Sequence, residues 1–143
     1  MAASTSSAAA ALSITFDTAA AAGPSVLYLI VSSVPGRSDT DNITNDDTPT
    51  ITGTGEIGAT VTLSSDQDGV VGTDIVDGSG NWSITPGIGL TDDVHSLTAT
   101  QTDVAGNTSA ASVALPITVD TTAPAPAALE VLVATSDVVR EPG

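Results

Sequence analysis

The chain has 143 residues, 41% of them hydrophobic, with 2 Lys and Arg against 17 Asp and Glu and a formal net charge of −15. That length suits one domain with short appendages, and so acidic a surface excludes phosphate reading, so neither nucleic acid nor an anionic membrane is a partner. The absence of cysteine excludes a disulfide framework and thiolate metal sites.

The first residues, from Met1 to Thr5, lack a positively charged segment and make a poor signal peptide. The apolar run 26–31 is far shorter than the ~20 residues of a membrane helix, so membrane insertion is not expected. Helix signals are confined to short alanine tracts at 8–11 and 19–22, which are marginal in isolation. Strand-like runs separated by turn residues follow, and they predict strands at 25–31, 49–54, 60–65, 70–76, 81–85, 96–102 and 111–119. Seven strands at this spacing describe an all-β, Ig-like Greek-key sandwich. In Thr60-Val61-Thr62-Leu63 and Leu97-Thr98-Ala99 the apolar residue faces inward and Thr faces water. Trp82 is the natural centre of a core otherwise built from small aliphatic side chains.

The C-terminal part repeats the N-terminal part. Five of seven positions agree between Leu12-Ser13-Ile14-Thr15-Phe16-Asp17-Thr18 and Leu115-Pro116-Ile117-Thr118-Val119-Asp120-Thr121, at a constant spacing of 103 residues that also relates Arg37 to Arg140. The organisation that follows is the last strand of a preceding repeat over 1–18, one sandwich over 19–121, and a linker with the first strand of a following repeat over 122–143. The flanking strands either belong to a longer tandem array or pair between molecules, since an unpaired strand offers a row of free backbone donors and acceptors.

Catalytic constellations are missing. Gly53-Thr54-Gly55-Glu56-Ile57-Gly58 has the glycine spacing of a dinucleotide site, but a strand pattern follows where that site needs a helix. His95 is the one histidine, and it reads as a surface or turn residue at the start of a strand, without the partners of a nucleophilic triad. The chain is therefore not expected to be an enzyme.

The carboxylates are more informative. In an antiparallel sandwich loops alternate between the two poles, so Glu56, Asp77, Asp103 and Asn107 share the pole where the chain enters, and Asp17 arrives there. Asp39, Asp41, Asn42, Asp46, Asp47, Asp66, Asp68, Asp92 and Asp93 collect at the opposite pole, which Asp120 leaves. Stacking such domains presses acidic poles together, and oxygen-only ligands in loops describe a Ca²⁺ site. The same residues also suit solvated turns. Asp39 and Asp41 begin an EF-hand-like spacing that Ile43 breaks at the third ligand.

The segments at 38–56, Gly58-Ala59-Thr60-Val61, Gly80-Asn81-Trp82-Ser83, Asp103-Val104-Ala105-Gly106-Asn107 and Asp120-Thr121-Thr122-Ala123-Pro124 together resemble the bacterial Ig-like repeats of giant secreted surface adhesins, including biofilm-associated and type I-secreted RTX-type proteins. The resemblance implies an extracellular spacer in a tandem array at the bacterial cell surface, stiffened by Ca²⁺ at the junctions between adjacent repeats. Its junction ligands would be Asp17, Glu56, Asp77 and Asp103, with Asp120 serving the next junction. The N-terminal copy departs from the pattern, because Ala19-Ala20-Ala21-Ala22 stands where the C-terminal copy has Thr122-Ala123-Pro124. Two other readings remain open at this point. One is a self-assembling, head-to-tail filament subunit joined by strand donation through residues 9–17. The other is a glycan- or ice-binding adhesin domain using the threonine rows at 50–52 and 60–62.

Overall fold

The computed structural model describes residues 9–30 and 40–128. These described residues form eight strands: β1 (Ser25–Leu29), β2 (Ile43–Thr44), β3 (Ile51–Thr54), β4 (Thr60–Ser65), β5 (Gly69–Ile75), β6 (Asn81–Ile84), β7 (Asp93–Thr102) and β8 (Leu115–Val119). They form a three-stranded sheet in the order β1-β3-β6 and a five-stranded sheet in the order β2-β8-β7-β4-β5. All pairs are antiparallel except β2 with β8. The chain changes sheet from β1 to β2, β2 to β3, β3 to β4, β5 to β6 and β6 to β7, which makes an Ig-like sandwich.

Alternation sets the core. Val61 and Leu63 of β4, Leu97 and Ala99 of β7, and Ile117 and Val119 of β8 meet Ile51, Trp82 and Ile84 from the facing sheet. Trp82 is 2% exposed, as its place in the pattern required.

Three departures from the expected strands have local causes. Residues 43–44 add a short parallel strand because Thr118 and Asp120 donate their amides to the carbonyls of Asn42 and Thr44. Strand β7 begins at Asp93, earlier than expected, since Asp93, Val94 and His95 pair with Val119, Thr118 and Ile117. The expected strand over 111–119 begins only at Leu115, because two serines replace the ladder before it. Ser109 Oγ and Ser112 Oγ accept hydrogen bonds from the amides of Gln101 and Ala99 at 3.0 Å each and donate to the Ala110 and Val113 carbonyls. A hydroxyl that both accepts and donates lets the backbone follow β7 without regular pairing.

Residues 9–17 carry no strand in this chain, and Leu12, Ile14 and Phe16 are exposed. Asp39, Arg37, Arg140 and residues 129–143 of the segment expected to hold the linker and the first strand of a following repeat lie outside the described residues.

Candidate functional site

The loops sort into two poles as the alternation required. At the entry pole Gly55 donates to the Gly80 carbonyl, Gly58 to Val76, and Glu56 N to Gln101 Oε1 at 3.0 Å. Asn107 Nδ2 donates to the Asp17 carbonyl at 3.0 Å, which holds the arriving chain against this pole. At the exit pole Leu90 donates to the Asp47 carbonyl, Thr91 reaches the Asp68 carboxylate, and Thr121 and Thr122 reach Asp92. The Gly53–Gly58 segment closes β3 with a turn in which Gly58 has φ +83°, and β4 follows, so no helix meets these glycines.

Two entry-pole loops are copies of one device. In Asp77-Gly78-Ser79-Gly80-Asn81 and in Asp103-Val104-Ala105-Gly106-Asn107, the Asp Oδ1 accepts the amides two and four residues on, at 2.8–2.9 Å. In each, the glycine has positive φ, +84° at Gly80 and +94° at Gly106, and donates back to the Asp carbonyl. The aspartate thus closes a five-residue turn that needs a residue tolerant of left-handed backbone at its fourth place. Asn107 adds a side-chain bond to Asp103 Oδ2 at 2.9 Å.

These bonds favour the ionised form. The Asn107 side chain, then its backbone amide, hold the Asp103 carboxyl below the usual carboxylate range. The Asn81 and Ser79 amides do the same for Asp77, and the hydroxyls of Thr121 and Thr122 for Asp92. A group whose folded pKa is depressed contributes stability above its unfolded pKa, and loses it as pH falls through the folded value. Asp103→Ala should therefore melt below the parent at neutral pH. The gap between the two melting curves should close as pH drops below about 4, near the unfolded carboxylate value, and Asp103→Asn, which keeps one acceptor oxygen, should fall between them. A gap independent of pH would show that the charge does not matter to the turn.

The other expected ligands are similarly engaged by their own loops. Asp17, Asp41 and Asp120 each accept the amide two residues on, from Ala19, Ile43 and Thr122. Glu56 is exposed, and its carbonyl closes a turn with Ala59. Asp17, Glu56, Asp77, Asp103 and Asn107 do share one pole. Among the described residues, however, no three His, Asp or Glu side chains lie close enough to hold a metal ion. Ca²⁺ takes six to eight oxygens, from carbonyls, side-chain amides and water as well as carboxylates.

His95 corrects the expectation of a surface or turn histidine: it is fully buried on β7. Its Nε2 lies 2.7 Å from the Thr91 carbonyl, which can only accept, so Nε2 carries the proton and Nδ1 accepts from Ser65 Oγ at 2.8 Å. Asp68 Oδ2 is 3.5 Å from Nδ1. Both ring nitrogens are committed and Ser65 is buried, so this Ser-His-Asp grouping fastens the β4–β5 turn.

Gln101 was not singled out from sequence. It is buried, accepts Glu56 N, and donates through Nε2 to the Ala22 carbonyl, so it ties the incoming alanine segment to the sandwich. The signal was present: His95, Leu97, Ala99 and Gln101 are in phase along β7, with Asp103 next in phase just past its end, and all are buried. The threonine row at 50–54, running into β3, makes hydrogen bonds within the domain. Thr50 Oγ1 bonds Thr85, Thr52 Oγ1 donates to the Trp82 carbonyl, and Thr54 Oγ1 bonds Ser25.

The family comparison agrees with this architecture: the model of the bacterial Ig-like domain matches residues 20–121. The chain belongs to the bacterial Ig-like domain family. Among solved structures, this Ig-like domain is similar to a chain described as "Biofilm associated protein - BSP domain", with 25% sequence identity and a TM-score of 0.48. That match covers 73% of this chain and 15% of the other. No curated protein matches the Ig-like domain described here.

Proposed function

We propose that this Ig-like domain is a non-catalytic spacer of a bacterial surface adhesin, one unit in an extracellular tandem array. The observation that carries the reading is the pair of copies around Asp17 and Asp120, which stand 103 residues apart and make the same turn, each carboxylate accepting the amide two residues on. One copy is fastened to the entry pole through Asn107, and the other leaves the exit pole fastened through Asp92. Units joined at that spacing extend end to end. Small-angle scattering of chains with one, two and three units should show a maximum dimension growing linearly with unit number, whereas compact multimers would remove the reading.

Calcium at the junctions is the finer part of the proposal. Because no three carboxylates come together among the described residues, the ion would draw ligands from the body of the preceding unit as well. At ~10 times its dissociation constant it would add about 1.4 kcal/mol per site. A two-unit chain should then melt higher in millimolar Ca²⁺ and lower with chelator, with a smaller response from a single unit. Equal melting with and without Ca²⁺ in the two-unit chain would remove calcium and leave the spacer to be judged by scattering.

A further inference from the structure

Taking the tandem array as proposed above, on which this rests, we infer that the unit selects the connector it receives. Its entry groove seats the segment 17–24 and rejects the proline-bearing segment 120–127 that leaves the same unit, so neighbours in the array are not interchangeable. Both segments open with one turn, since Asp17 and Asp120 each accept the amide two residues on. They part company further along.

The grip lies in Gln101 and is general. Its Oε1 accepts the Glu56 amide, which leaves Nε2 as the donor to the Ala22 carbonyl. Gly55 makes that reach possible, because a Cβ there would stand 2.5 Å from Gln101 Oε1 and 2.9 Å from Val76 Cγ2. The middle glycine of the Gly53–Gly58 string therefore admits the side chain that holds the connector. Every residue offers a backbone carbonyl, and the counterpart of Ala22 is itself an alanine, Ala125. Gln101 alone would hold either segment.

Choice comes from the places on either side of that carbonyl. Ala21 is 8% exposed and Pro24 is buried. Their counterparts at the 103-residue spacing are Pro124 and Ala127, so the small and the large residue change places. A seat shaped to alanine and then proline would be overfilled at the first place and left hollow at the second. Between them stands Gly23, whose counterpart is Pro126. A Cβ on Gly23 would lie 3.1 Å from the Ala110 carbonyl oxygen, inside ordinary contact distance. That oxygen is held in place: it accepts Ser109 Oγ at 2.8 Å, and Ser109 Oγ accepts the buried Gln101 amide at 3.0 Å. The residue that grips the connector also fixes the wall that screens it.

Backbone ¹⁵N relaxation of the 143-residue chain tests this. Order parameters at Ala20 and Ala22 should be those of rigid backbone, about 0.85. In the triple variant Ala21→Pro, Gly23→Pro, Pro24→Ala, which installs the outgoing sequence, they should fall below about 0.6 while β4 and β7 keep theirs. Gly23→Ala alone, too small a change to unfold the sandwich, should lower them part of the way. A parent already below about 0.6 at Ala20 and Ala22, or equal values in the parent, in Gly23→Ala and in the triple variant, would overturn the proposal. Neither result touches the spacer reading, whose own failure is a compact multimer in scattering.

Discussion

Replacing Trp82 with alanine should lower the unfolding free energy by about 3–5 kcal/mol, a large share of the roughly 5–15 kcal/mol that domains possess. The chain has three aromatic residues, and the other two, Phe16 and Tyr28, are exposed. No neighbouring ring can swing into the space, and the surrounding Val, Ile, Leu and Ala side chains are too short to fill it. The strand beneath is shaped to the indole: a Cβ on Gly53 would lie 2.5 Å from Trp82 Cζ2. The indole N–H also donates to the Thr54 carbonyl at 3.2 Å, so truncation leaves an acceptor without its partner. Chemical denaturation followed by circular dichroism measures the loss, since the variant has no tryptophan fluorescence. Trp82→Phe should recover much of the packing while still lacking the indole donor. A loss below about 1 kcal/mol for alanine, the scale of an ordinary surface change, would mean the core is not built around this residue.

That central role was legible from sequence because period-two alternation puts Trp82 and Ile84 on one face and leaves Ser83 on the other. Strand β4 matched its expected bounds for the same reason, with Val61 and Leu63 alternating with Thr60, Thr62 and Ser64. The sorting of loops into poles also followed from topology, since successive strands reverse direction whatever their side chains. Alternation was less informative where a side chain does the work of backbone. Ser109 and Ser112 stand in for strand pairing before β8, and nothing in their spacing distinguishes that use from solvated turn serines. The carboxylates posed the same difficulty. An aspartate in a loop has the same sequence appearance whether or not it closes its own turn, and Asp77 and Asp103 close theirs through Oδ1. The recurring Asp-x-x-Gly-Asn spacing was the available clue, because a glycine at the fourth place marks a backbone turn that the carboxylate can cap. Polar residues in phase with a core strand, His95 and Gln101, were the other.

Replacing His95 with leucine should cost about 1–3 kcal/mol, the price of leaving buried polar groups unpaired, even though it keeps an apolar side chain of similar reach in the core. The Thr91 carbonyl loses its donor and the Ser65 hydroxyl loses its acceptor. Ser65 Oγ also accepts the amides of Gln67 and Asp68, at 3.1 and 3.3 Å, so the histidine orients the hydroxyl that closes the β4–β5 turn. The two residues should therefore act as a unit. Ser65→Ala should be less harmful in the His95→Leu background than in the parent, with a coupling of about 0.5–3 kcal/mol by double-mutant cycle. The ring joins β7, the β4–β5 turn and Thr91 at the exit pole, one residue before the Asp92 that fastens the outgoing segment. Loosening it should thus reach Asp92 before it reaches the entry pole, and hydrogen exchange should rise first at the amides of Gln67, Asp68, Thr91 and Thr121. Strictly additive costs, with exchange rising equally at Ala105 and Asn107 of the entry pole, would show that His95 merely fills space in the core.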